Sequence, residues 1–145
     1  MPIYQVITGG VELNGGQRDV LAKRFTEVHH AVTNAPEPFI RVIFQALQPG
    51  LIYTAGEVTP SFILIAGCRG GRTDDTRLKL MKELHAVIRM VTNMPEDQIV
   101  IVVSDTPASW VMEAGMVLPE THHETEAAWM QELQAKFPGK YENYS

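Results

Sequence analysis

The chain has 145 residues, 45% of them hydrophobic and 20% charged, with a net charge of −5. That is the size and composition of one globular domain that buries its own core. The acidic balance argues against nucleic-acid and acidic-membrane partners. One cysteine, Cys68, excludes an intramolecular disulfide and suits a reducing compartment. No apolar run approaches the roughly 20 residues needed to span a bilayer. With no leader-like start, the expectation is a soluble cytoplasmic protein.

The first element is a strand, PIYQVIT from Pro2 to Thr8, rich in β-branched and aromatic residues. Proline at the head of a strand costs little, because its missing N–H falls outside the ladder. It also has a chemical meaning. If Met1 is removed, Pro2 becomes a secondary amine at the chain end, able to act as a base. Asn14 and Gln17 make a capping box for a helix running to Thr33, with Val20, Leu21, Phe25, Val28 and Val32 predicted on its apolar face. APEP breaks it. FIRVIFQAL (Phe39 to Leu47) reads as a second strand covered on both faces, and LIYTAG as a short one.

The plan then repeats. SFILIAGC (Ser61 to Cys68) is a strand, and Thr73, Asp74 and Asp75 open a helix whose stripe is Met81, Leu84, Ile88 and Val91. Asn93 and Pro95 end it, and QIVIVVS (Gln98 to Ser104) is the fourth strand. HHETEAAWMQELQAKF is a short amphipathic helix and YENYS a fraying end. The reading is one domain over 1–145, with pseudo-repeats at 2–57 and 61–104 and a tail at 105–145. The repeat is one of pattern, with no residue-by-residue match. The fold class is α/β (α+β by some schemes): two βαβ units, right-handed, forming one four-stranded sheet with two helices on one face. The other face is too apolar for water and should meet another subunit.

CRGGRTDD is the best local signal for chemistry. Arg69 and Arg72 sit between a strand end and a helix start, where two glycines let a ligand approach the backbone. The helix N-terminus favours an anion, and arginine binds a carboxylate bidentately. The bland alternative is an ordinary turn with two solvated arginines. His29 falls at the edge of the apolar face of the first helix, and His30 points to solvent. Glu113 lies after the fourth strand, and Tyr4 alternates with Ile3 on the first. Cys68 is read as a small buried hydrophobe, and Trp110 and Trp129 as packing residues. His122, His123 and Glu126 lack the spacing of a metal site. The chain carries no dinucleotide, P-loop, zinc or nucleophile-elbow motif, so no metal or cofactor is expected.

Together these residues resemble the tautomerase superfamily, specifically its cis-3-chloroacrylic acid dehalogenase-like group. The likeness covers most of the chain: the PIY start, FTEVHHAVT, GCRGGRTDDTRLK and TPASWVMEAGMVLPE. It implies the tautomerase (MIF-like) fold and a homotrimer. It makes Pro2, freed of Met1, the catalytic amine. It has His29, Arg69, Arg72 and Tyr4 bind a small carboxylate substrate, with Glu113 activating or orienting water. Where the dehalogenating members have a tyrosine on the fourth strand, alignment on Glu113 puts Val102, which offers no hydrogen bond. Keto–enol tautomerisation of a 2-keto acid is therefore favoured, with hydratase, decarboxylase or weak dehalogenase activity as extras. The alternative is a non-catalytic trimeric scaffold or interaction protein with a relic pocket. A third reading, a phosphate- or nucleotide-binding βαβ protein, rests on RGGR alone.

Overall fold

Strand β1 (Ile3–Gly9) and helix α1 (Gly15–Thr33) lead to β2 (Arg41–Ala46), which lies parallel to β1. The hairpin β3 (Tyr53–Thr54) and β4 (Glu57–Val58) follows. The second unit repeats this with β5 (Ser61–Arg69), α2 (Asp74–Thr92) and β6 (Ile99–Thr106), then the hairpin β7 (Met112–Glu113) and β8 (Met116–Val117). Helix α3 (His123–Lys136) closes the chain. This computed structural model describes residues 1–144, His123 by its backbone alone; Ser145 lies outside the described residues.

The two units join through β1 and β5, which run antiparallel, so the sheet order is β2-β1-β5-β6. The expected four-stranded sheet with two helices is therefore present. Its core is made by Tyr4, Val6, Phe62, Leu64 and Ala66 from the central strands against Leu21, Phe25, Leu80, Leu84 and Ile88 from the helices. Both helices begin as predicted. Asn14 and Gln17 close a reciprocal capping box, and Thr73 accepts from the Thr76 N–H. Both end on asparagines in the left-handed region, Asn34 (φ 61°) and Asn93 (φ 53°), whose N–H groups return to the last turn.

The structure corrects several details. The buried stripe of α1 is Leu21, Phe25 and His29, spaced by four, and Val20 faces out. β2 is an edge strand whose residues alternate between half-buried and exposed, and Phe39 leaves it for a 3-10 turn. Trp110 is 79% exposed rather than packed. Tyr141 does not fray: it stacks on Phe39, and Gln134 Nε2 donates to its carbonyl. The two units share short identical stretches at one offset, though most equivalent positions differ. VTN-x-PE occurs at 32–37 and again at 91–96, and the hairpin turns Ala55-Gly56 and Ala114-Gly115 keep the same offset. All four turn residues have positive φ, as a two-residue hairpin turn with the sheet's twist requires.

The sheet face away from α1 and α2 stays open. Ile3, Ile43, Val100 and Val102 are exposed there.

Candidate active site

The antiparallel join of β1 and β5 decides where the site lies. It puts the start of β1 beside the end of β5: Ile3 pairs with Gly67 on one side and with Arg41 on the other. Pro2 is fully buried at this end, held by the Arg41 N–H, which donates to its carbonyl at 3.1 Å. The chain-end amine on Met1 is ion-paired with Glu113 Oε1. Glu113 comes from the tight hairpin β7–β8, which folds it back over the chain start; its side chain is 9% exposed. Its Oε2 is buried with no hydrogen-bond partner among the described residues. Arg41 Nη1 stands 3.8 Å from Glu113 Oε1.

Burial lowers the basicity of the chain-end amine. Glu113 works against this, while Arg69 and Arg41 add to it, and the net shift is downward.

Tyr4 and His29 lie beneath this end of the sheet. His29 is 1% exposed, the last member of the buried stripe of α1 rather than a residue at the edge of the apolar face. Its Nδ1 is 2.5 Å from the Tyr4 hydroxyl, and the two rings meet edge to face. Burial, then Arg72, the chain-end amine and Arg69, push the His29 pKa down to about 3, so its imidazole is neutral. Burial pushes the Tyr4 hydroxyl well above its ordinary range. A neutral imidazole has one donor and one acceptor nitrogen. If Tyr4 donates to Nδ1, the proton sits on Nε2 and remains available to an anion. His30 is not solvated as expected: its Nδ1 donates to the Ala35 carbonyl at 2.7 Å, bracing the turn after α1.

Arg69 and Arg72 have different fates. Arg69 is 4% exposed; one nitrogen donates to the Pro119 carbonyl at 2.9 Å and the other is paired with Glu126 of α3. Arg72 is half-buried and donates to two carbonyls, Arg69 at 3.2 Å and Thr33 at 3.3 Å. No carboxylate pairs with it among the described residues. Burial, reinforced by Arg69, makes it less basic than an ordinary guanidinium. A desolvated cation in this state gains from an anionic ligand.

The cleft in front of the amine is lined by Met1, Arg69, Glu113 and Glu126, with apolar walls from Phe39, Leu118, Trp129 and Met130. Three groups in or beside it were not singled out from the sequence. Arg41 had a signal, its place at the start of the strand parallel to β1, but pairing is invisible in one chain. Glu126 was weighed only as a metal ligand. The apolar wall of α3 depends on how that helix docks. Val102 is on the open sheet face, paired with Ile65.

The opposite end of the sheet is related to this one by the internal repeat and holds none of this chemistry. There Ser61 stands for Pro2, Gly10 for Arg69, Leu13 for Arg72, Ile88 for His29 and Thr54 for Glu113.

A family model described as "Putative oxalocrotonate tautomerase enzyme" matches residues 1–134. Among solved structures, N1, a member of the cis-3-chloroacrylic acid dehalogenase family, is 26% identical over 92% of this chain and 96% of its own, with a TM-score of 0.83. Native Ps01740 is 35% identical over 77% of this chain and 99% of its own, with a TM-score of 0.75. Native fused 4-OT shares the fold alone, at 21% identity over 79% of this chain and 94% of its own, with a TM-score of 0.71. No curated protein matches.

Proposed function

This chain belongs to the tautomerase superfamily, in its cis-3-chloroacrylic acid dehalogenase-like group, and from that premise we propose that it moves a proton on a small carboxylate substrate, using Pro2 as the chain-end amine once Met1 is gone. The observation that carries this reading is the buried chain start with a carboxylate, Glu113, held on its amine. Loss of Met1 moves that amine one residue back, onto a proline at the head of β1. Burial and nearby arginines disfavour its charged form, which makes it a base near neutral pH.

The favoured reaction is keto–enol tautomerisation of a 2-keto acid. Pro2 removes a proton from the carbon next to the keto group and returns one at the end of the cycle. Arg72, with neutral His29 placed by Tyr4, holds the substrate carboxylate, and Arg69 frames the cleft. Positive charge lowers the energy of the enolate that forms between the two transfers. Glu113 orients the amine, or a water in hydration and dehalogenation side reactions. Those side reactions are weak, because Val102 supplies no hydroxyl to help polarise a water. The open apolar face of the sheet fits assembly as a homotrimer, the state in which the fused 4-OT proteins of the same fold were solved.

The test compares two preparations whose intact mass shows Met1 absent or present. The Met1-free chain should interconvert enol and keto forms of small 2-keto acids. The Met1-bearing chain should not, because its Pro2 nitrogen is an amide with no basic lone pair. Pro2→Ala in the Met1-free chain should lose most of the activity. Equal turnover with Met1 present would overturn the mechanism and favour the scaffold reading.

A further inference from the structure

The charges around the cleft do not balance evenly. Arg69 is cancelled by Glu126, and Glu113 is matched by Arg41, a partner that remains once Met1 is gone and Pro2 is a neutral base. Of the arginines assigned to the site, only Arg72 has no carboxylate partner among the described residues, and it is not itself one of the residues lining the cleft. The site thus has room for one added negative charge. A second one would enter a desolvated space facing Glu126 and Glu113, and like charges there repel strongly.

Glu126 is held where it is. Helix α3 is fastened to the β7–β8 hairpin by the Lys136 ammonium, which donates to the Ala114 carbonyl at 2.8 Å. The Trp129 N–H donates to Val117 at 3.1 Å, and Leu133 is fully buried beneath the helix. The remaining walls, Phe39, Leu118, Trp129 and Met130, are apolar and suit a substrate whose uncharged part is hydrocarbon.

We propose that Glu126 sets the substrate class: by neutralising Arg69 it restricts the site to monocarboxylates with an apolar remainder and turns dicarboxylates away. This rests on the carboxylate-binding reading above. The probes are butanoate and succinate, which have the same four-carbon chain and differ by one charge. Binding to the Met1-free chain is measured by calorimetry above neutral pH. Wild type should prefer butanoate by about tenfold or more. Glu126→Gln frees Arg69 and should tighten succinate by about tenfold while leaving butanoate within about threefold. Lys136→Met, which loosens the far end of α3 without altering charge at Arg69, should move both anions alike. If Glu126→Gln fails to fold, Glu126→Asp should show a smaller shift of the same sign. An unchanged butanoate-to-succinate ratio in the Glu126 variant, with binding intact, overturns the role of Glu126. A ratio shifted equally by Lys136→Met overturns it too. If neither anion binds any of these chains, the carboxylate site itself falls, and this inference with it.

Discussion

Replacing His29 by glutamine should flatten the acid side of the stability curve. His29 is 1% exposed and its pKa is pushed down to about 3 by burial, Arg72, the chain-end amine and Arg69. In the unfolded chain the same ring takes up a proton near its ordinary pKa of about 6.5. Above that value neither state holds the extra proton and His29 adds no pH dependence. Below it the unfolded state binds a proton that the native state refuses. Stability then falls by about 1.4 kcal/mol per pH unit, levelling off only below the native pKa. Between about pH 6.5 and pH 4.5 the loss is about 2–3 kcal/mol, a large share of a total stability of about 5–15 kcal/mol. Glutamine does not titrate, and its amide can still meet the Tyr4 hydroxyl. The assay is urea unfolding of both proteins at fixed concentration across this pH range, with the two curves subtracted. The carboxylate ion pairs contribute equally to both and cancel. The wild-type advantage should shrink by about 2–3 kcal/mol as pH falls. A difference that stays constant across the range would refute the claim that His29 is buried neutral.

Glu113→Gln, which removes the negative charge from the amine but keeps the shape, should lower kcat about a hundredfold with little change in KM; unaltered kcat would remove Glu113 from the reaction. Arg72→Ala should reduce kcat/KM for a 2-keto acid by about 10- to 100-fold, the size of one charge-assisted hydrogen bond. An unchanged kcat/KM would end its role as the carboxylate holder. Leu133→Ala deletes the fully buried centre of the small cluster of Phe39, Met116 and Met130. It should cost about 2–5 kcal/mol and speed hydrogen exchange in α3 before the rest of the chain. A cost below about 1 kcal/mol would mean that α3 is not anchored through this residue.

The local signals determined most of the fold. Runs of apolar, β-branched and aromatic residues marked the strands, Asn14–Gln17 and Thr73 set the helix starts, and APEP after the first helix and Asn93 with Pro95 after the second marked their ends. These depend on neighbours a few residues apart, which a sequence displays directly. The candidate residues Pro2, Tyr4, His29, Arg69, Arg72 and Glu113 were also legible, chiefly because they resemble one family's pattern. What the sequence could not decide is which of them meet. That Pro2 lies beside Arg41 and the end of β5 follows from strand pairing across the antiparallel join. That Glu113 reaches the amine follows from a hairpin turn. That Arg69 is spent on Glu126 while Arg72 is left unmatched follows from the docking of α3. Each contact joins residues far apart in the chain, and its energy depends on desolvation, which exists only once the chain has folded.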